Sequence, residues 1–181
     1  MEIWKQKIRI LLDNLNLISI LSKKILLLNI NISKYMITKM HNLTEHFTLE
    51  ELTYSYTAKQ YNIDNRPNKF QISELTRLCK NILEPIRQKT GKPIIISSGY
   101  RCKELNDRIG GAKNSDHLYC SAVDIKCKGM TVKELFDVIV EMIKNEEIEV
   151  RQLIDENDYS WVHISQNNKY NGYRKNQILY L

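Results

Sequence analysis

Apolar residues crowd the first thirty positions in an interrupted run, and only later do they settle into short segments with clear periods. From Asn68 onward, Ile72, Leu75, Leu78, Cys79, Ile82, Leu83 and Ile86 recur every three or four residues. That spacing predicts one long helix with a single buried stripe. Pro85 is placed to kink it and Gly91 to end it. Upstream, Thr48-Leu-Glu-Glu51 reads as a capping box opening a helix through about Gln60, and Asn65-Arg-Pro-Asn68 breaks the chain. A second capping box, Thr131-Val-Lys-Glu134, opens a helix whose apolar face is Leu135, Val138, Ile139, Met142 and Ile143. A short helix is expected over 102–109, closed by Gly110-Gly111.

The remaining apolar segments are shorter and read as strands. They are Pro93–Ser97 running into a turn at Ser98-Gly99, Ala122–Cys127, a stretch near Arg151–Asp155, Trp161–Ser165, and a last one over Gln177–Leu181. Helices come first and most strands later, which predicts the α+β class, with a small, largely antiparallel sheet packed against helices. Period-two alternation puts Val123 and Ile125 on one face and Asp124 on the other. Likewise Val162 and Ile164 share a face, and His163 points the opposite way. If both apolar pairs face the helices, Asp124 and His163 project from the same side of the sheet. His117, on the loop entering the first of these strands, can swing over to join them. Two imidazoles and a carboxylate, with a fourth position open to water, are the pattern of catalytic zinc. The plainer alternative is that each is an ordinary strand or loop residue.

Composition narrows the classes. With 181 residues, 43% of them apolar and 27% charged, the chain suits one soluble globular domain with an appended segment. The net charge of +6 is unevenly placed: residues 1–39 hold seven Lys and Arg against Glu2 and Asp13, a surplus of five. Basicity therefore belongs to the N-terminal arm, and no nucleic-acid partner is expected for the domain; a nucleic-acid-binding protein using the arm remains a rival. The apolar run over 8–30 is broken by Asp13, Asn14, Asn16, Lys23 and Lys24, so no stable membrane span is expected, and no small-residue cleavage site marks an export signal. The arm reads either as an amphipathic helix lying on a membrane or on the domain, or as a stretch outside the folded unit. In the second case it is even translated upstream sequence, with Met40 the true start. The expected division is 1–39 as arm and 40–181 as catalytic domain. Cys79, Cys102, Cys120 and Cys127 form no CxxC pair, which argues against a structural zinc knuckle and for reduced packing thiols.

Several ordered motifs then raise a family resemblance. Ser97-Ser-Gly-Tyr-Arg101, Asn106, Gly110-Gly111, Ser115-Asp-His117, Ala122-Val-Asp124, Gln152-Leu-Ile-Asp-Glu156 and Trp161-Val-His-Ile-Ser165 together resemble the zinc D-Ala-D-Ala carboxypeptidase-like peptidases, including L-Ala-D-Glu peptidases and the phage endolysin branch. Phe47-Thr-Leu-Glu-Glu-Leu52 and Leu83-Glu-Pro85 extend the likeness, which covers roughly Phe47 to Ser165. The resemblance implies a hedgehog/D,D-peptidase-like fold and one zinc ion held by His117, Asp124 and His163. It makes Arg101 the holder of a substrate carboxylate or carbonyl and Ser115 a substrate neighbour. Tyr100 is expected to bind substrate or, with Asn106, to brace the site. Glu156 is the chosen general base, with Asp155 and Asp158 as alternates, because Ser160 stands where relatives often carry an acid. Relatives usually have glycine where this chain has Cys120, so either the backbone there is undemanding, or the loop is shifted, or the thiol reaches the metal.

The implied activity is zinc-dependent hydrolysis of D-amino-acid-containing bonds in peptidoglycan stem peptides, by a monomer acting at the bacterial cell wall or periplasm. A phage enzyme released from the host cytoplasm suits a chain with no export signal. The alternative is an inactive peptidoglycan-binding module of the same fold.

Overall fold

Both capping boxes close in the computed structural model, which describes residues 1–156 and 160–180. The chain divides into two compact units, Met1–His41 and Asn42–Leu181. The first is a single helix, α1 (Glu2–His41), along which Leu21, Ile25 and Leu28 are exposed. No described helix is long and apolar enough to cross a membrane.

In the second unit Thr48 caps α2 (Leu49–Thr53), but the helix does not run on to Gln60. Tyr54 turns extended, and the Ser55 hydroxyl accepts from the Ala58 amide to cap a separate helix, α3 (Tyr56–Gln60). A serine inside the expected helix was in fact a new start signal. The long helix from Asn68 forms as α4 (Lys69–Leu78), a π turn (Cys79–Leu83) and α5 (Glu84–Thr90), ended by Gly91 at φ 63°. The π turn sits just before Pro85, whose ring nitrogen carries no N–H to continue the regular ladder. After β1 (Ile94–Ser98) come α6 (Lys103–Arg108), a 3₁₀ turn (Asp116–Tyr119), β2 (Ala122–Cys127), α7 (Val132–Lys144), β3 (Gln152–Glu156), β4 (Trp161–Ser165) and β5 (Gln177–Tyr180).

The five strands form one sheet in the order β1-β2-β4-β3-β5, antiparallel except for the β3/β5 edge. The fold is α+β, as the order of elements predicts. One face of the sheet is apolar: Val123, Ile125, Leu153, Val162 and Ile164 are fully buried against Leu135, Phe136 and Ile139 of α7 and the α4–α5 stripe. Each such side chain contributes about 1.5–3 kcal/mol when taken out of water. Because side chains alternate, fixing these residues inward sends the intervening ones to the opposite face, where the polar groups gather.

Candidate metal centre and active-site cavity

β2 and β4 pair so that Asp124 lies directly across from His163. β3 continues the row with Ile154 opposite His163 and Glu156 opposite Trp161. On the other flank a register shift between Ile96 and Ser98 sets Ser98 opposite Asp124. Such irregularities re-aim a strand end, and this one delivers Ser98-Gly99 to the site. His117 arrives from the 3₁₀ turn, whose cap Ser115 accepts from the His117 amide at 3.3 Å.

The three side chains converge. His117 Nε2 lies 3.2 Å from Asp124 Oδ1 and 3.3 Å from His163 Nδ1, and His163 Nδ1 lies 2.9 Å from Asp124 Oδ1. Tetrahedral zinc, about 2.0–2.1 Å from its ligands, spaces them about 3.3 Å apart. The triangle is that size. Its chemistry agrees: His117 Nδ1–H donates to the Gly99 carbonyl at 2.6 Å, so Nε2 turns a lone pair toward the other two ligand atoms. Burial lowers the His117 pKa, which favours the neutral form of the imidazole that can act as a ligand. Burial opposes the Asp124 charge, but its imidazole neighbours outweigh that and hold its pKa well below the usual carboxylate range. A buried anion beside a neutral acceptor is a donor set for one divalent cation.

Arg101 stands behind this triangle. Its Nη2 donates to the outer oxygen of Asp124 at 2.7 Å and its Nε to Ser98 Oγ at 2.9 Å. Burial disfavours the guanidinium charge, which the Asp124 and Glu156 carboxylates support. Its contact is thus with a member of the triangle, and it fixes which Asp124 oxygen faces the imidazoles.

A cavity of about 880 Å³ opens onto the triangle, lined among others by Arg101, Ser115, Glu156 and Trp161. Glu156 is half-buried at the end of β3, on the His163 face. Asp155, one residue earlier, is buried and points the other way, and it does not line the cavity. Asp158 lies outside the described residues. Tyr100 does not line the cavity either: it is packed in the core, with its hydroxyl accepting from Gln71 at 3.3 Å. Asn106 is fully buried and donates to the Gly111 and Ala112 carbonyls, holding the loop that forms one wall.

Cys120 corrects an expectation. Its backbone is left-handed, φ 57° and ψ 30°, so the position does make the demand that glycine meets without strain. A side chain there costs about 1–2 kcal/mol, offset by a thiol packed with no exposure in the apolar core. Burial pushes that thiol up to about 12, so it is protonated at neutral pH, and it does not join the metal-ligating group. All four cysteines are free.

Pattern reading missed a second polar cluster. Asp116 and Arg151, both buried, pair at 2.9 Å, and Asp116 also accepts from Asn168 and Asn171 at 2.9 and 2.5 Å. These contacts hold the segment over 166–176 against the cavity. The aspartate was in view inside Ser115-Asp-His117, but its partners lie 35 and more residues away in stretches without period.

A mainly antiparallel sheet with a His-Asp-His triangle opening onto a cavity, and a carboxylate on the same face, is the arrangement of a metal-dependent hydrolase. The family model of peptidase M15 matches residues 45–165, two thirds of the chain. The chain therefore belongs to peptidase M15, the zinc D-Ala-D-Ala carboxypeptidase-like metallopeptidases. No curated protein matches it.

Proposed function

We propose that this peptidase cuts peptide bonds next to D-amino acids in the stem peptides of bacterial peptidoglycan, with His117, Asp124 and His163 as ligands of its zinc. The observation that carries the reading is Glu156, a carboxylate sharing the cavity and the sheet face of His163. When bound, zinc supplies a Lewis acid for the scissile carbonyl and for the attacking water. Glu156 takes a proton from that water as its oxygen bonds to the carbonyl carbon. It passes the proton to the departing amine as the C–N bond breaks. Arg101 keeps Asp124 Oδ1 turned toward the imidazoles. Ser115, at the cavity wall, is within the substrate's path. The place of action is the cell wall, reached by release of a phage-encoded enzyme from the host cytoplasm.

Digestion of defined muropeptides, followed by mass spectrometry, tests this reading. The zinc-loaded enzyme should release a D-alanine or a smaller stem fragment, and a chelator should stop it. Muropeptides left intact by zinc-loaded enzyme would sink the proposal.

A further inference from the structure

We propose that Arg174 holds a free carboxylate of the substrate, and that the segment carrying it makes the enzyme selective for anionic stem peptides. The inference rests on the peptidoglycan reading and deepens it.

The charges lining the cavity almost cancel in pairs. Among the described residues it is lined by three arginines and three carboxylates. Arg101 pairs with Asp124 at 2.7 Å and Arg151 with Asp116 at 2.9 Å. Glu156 and Arg174 are left. Glu156 has its role as base. Arg174 donates from Nη1 to the neutral amide oxygen of Gln177 at 2.5 Å and has no carboxylate partner among the described residues.

Neither other arginine is as free to bind substrate. Arg101 uses Nε and Nη2 on Ser98 and Asp124. Arg151 is buried, and each of its nitrogens is already bonded: Nε to the Gly172 carbonyl, Nη1 to Asp116 and Gln152, Nη2 to the Asn171 carbonyl. Arg174 is exposed at the cavity wall. A guanidinium fork matches a carboxylate with two parallel hydrogen bonds, and leaving one neutral amide for an anion is a favourable exchange.

Its position is also set in advance. The Arg174 amide donates to Asn167 Oδ1 at 2.8 Å, and Asn167 Nδ2 donates back to the Arg174 carbonyl at 2.7 Å. The same segment is docked on Asp116 through Asn168 and Asn171. Arg174 lies beyond residues 45–165, the part matched to the family, so this wall belongs to the chain's own sequence. Arg174 thereby joins Arg101, which also lines the cavity, as a holder of substrate carboxylate or carbonyl groups.

The test uses full-length zinc-loaded enzyme, a stem pentapeptide, and its counterpart with every carboxylate converted to carboxamide. Wild type should prefer the acid. Arg174→Gln should cut the acid-to-amide ratio of kcat/KM by roughly 10-fold or more, the worth of a charge-assisted hydrogen bond, and mainly through KM. Arg174→Lys should keep part of the preference and Arg174→Glu should reverse it. Calorimetric binding of the acid peptide to Glu156→Gln enzyme, with and without Arg174→Gln, gives a second readout free of turnover. An unchanged ratio, or equal losses on both peptides, overturns the inference while leaving the peptidoglycan reading intact. A wild-type enzyme that cuts neither peptide overturns both.

Discussion

Glu156 and Gly99 show how much can rest on one atom. The Glu156 carboxylate lines the cavity without contributing to the ligand triangle, so Glu156→Gln keeps shape and removes only the proton acceptor. Zinc content should stay at one ion per chain while hydrolysis falls about 100-fold or more, the usual worth of a general base. Full activity in a zinc-replete Glu156→Gln enzyme would mean the base lies elsewhere. His117→Ala, by contrast, should lose the ion. Gly99 acts through what it lacks: a Cβ there would stand 2.2 Å from the Leu52 carbonyl oxygen, a backbone atom with little room to yield. The same residue's carbonyl orients His117. Gly99→Ala should therefore cost about 1–3 kcal/mol of stability through overpacking. It should also weaken zinc binding roughly 10-fold or more, because the group orienting a ligand has moved. Thermal unfolding with and without added zinc separates the two effects; a variant as stable as wild type and with equal zinc affinity would refute the close-approach account.

Elements positioned by local chemistry were legible in the sequence, and elements positioned by distant partners were not. Alternation across Ala122–Cys127 and Trp161–Ser165 carried enough information to put Asp124 and His163 on one face, because the apolar residues between them could only face the helices. The same alternation separates Glu156 from Asp155 once the end of β3 is known. Periodicity failed at Ser55, where a helix restarts, and it is silent over 166–176, where irregular backbone is held by side-chain hydrogen bonds. That segment depends on the buried Asp116–Arg151 pair. Removing one partner of a buried pair strands the other's charge, so Arg151→Met should destabilise the fold by about 3 kcal/mol or more. Adding Asp116→Asn should recover much of that loss, since the stranded charge is gone. Denaturant midpoints for the two single variants and the double variant complete the cycle. Additive losses would show that the pair is not what docks the segment.

At the scale of the whole molecule, the two units differ in what they hold. The unit Asn42–Leu181 contains the apolar core, the sheet and all the described residues of the triangle and cavity. The unit Met1–His41 is one helix that carries five of the chain's six net positive charges and a series of exposed apolar residues, Leu17, Ile20, Leu21 and Ile25 among them. Apolar burial and charge attraction together are what draw a basic amphipathic helix to an anionic lipid surface, one of the readings open for this arm. None of the described residues that line the cavity or form the triangle comes from this helix. A chain of residues 42–181 should therefore keep zinc and hydrolyse a soluble stem peptide within about 2-fold of the full chain, since the core and the described site residues all lie in that unit. Sedimentation with anionic vesicles should drop on the same deletion and, in the full chain, should weaken as salt screens the basic residues. If the deletion instead abolishes turnover of the soluble peptide while zinc content is unchanged, the arm belongs to the working enzyme and the division of labour between the two units is wrong.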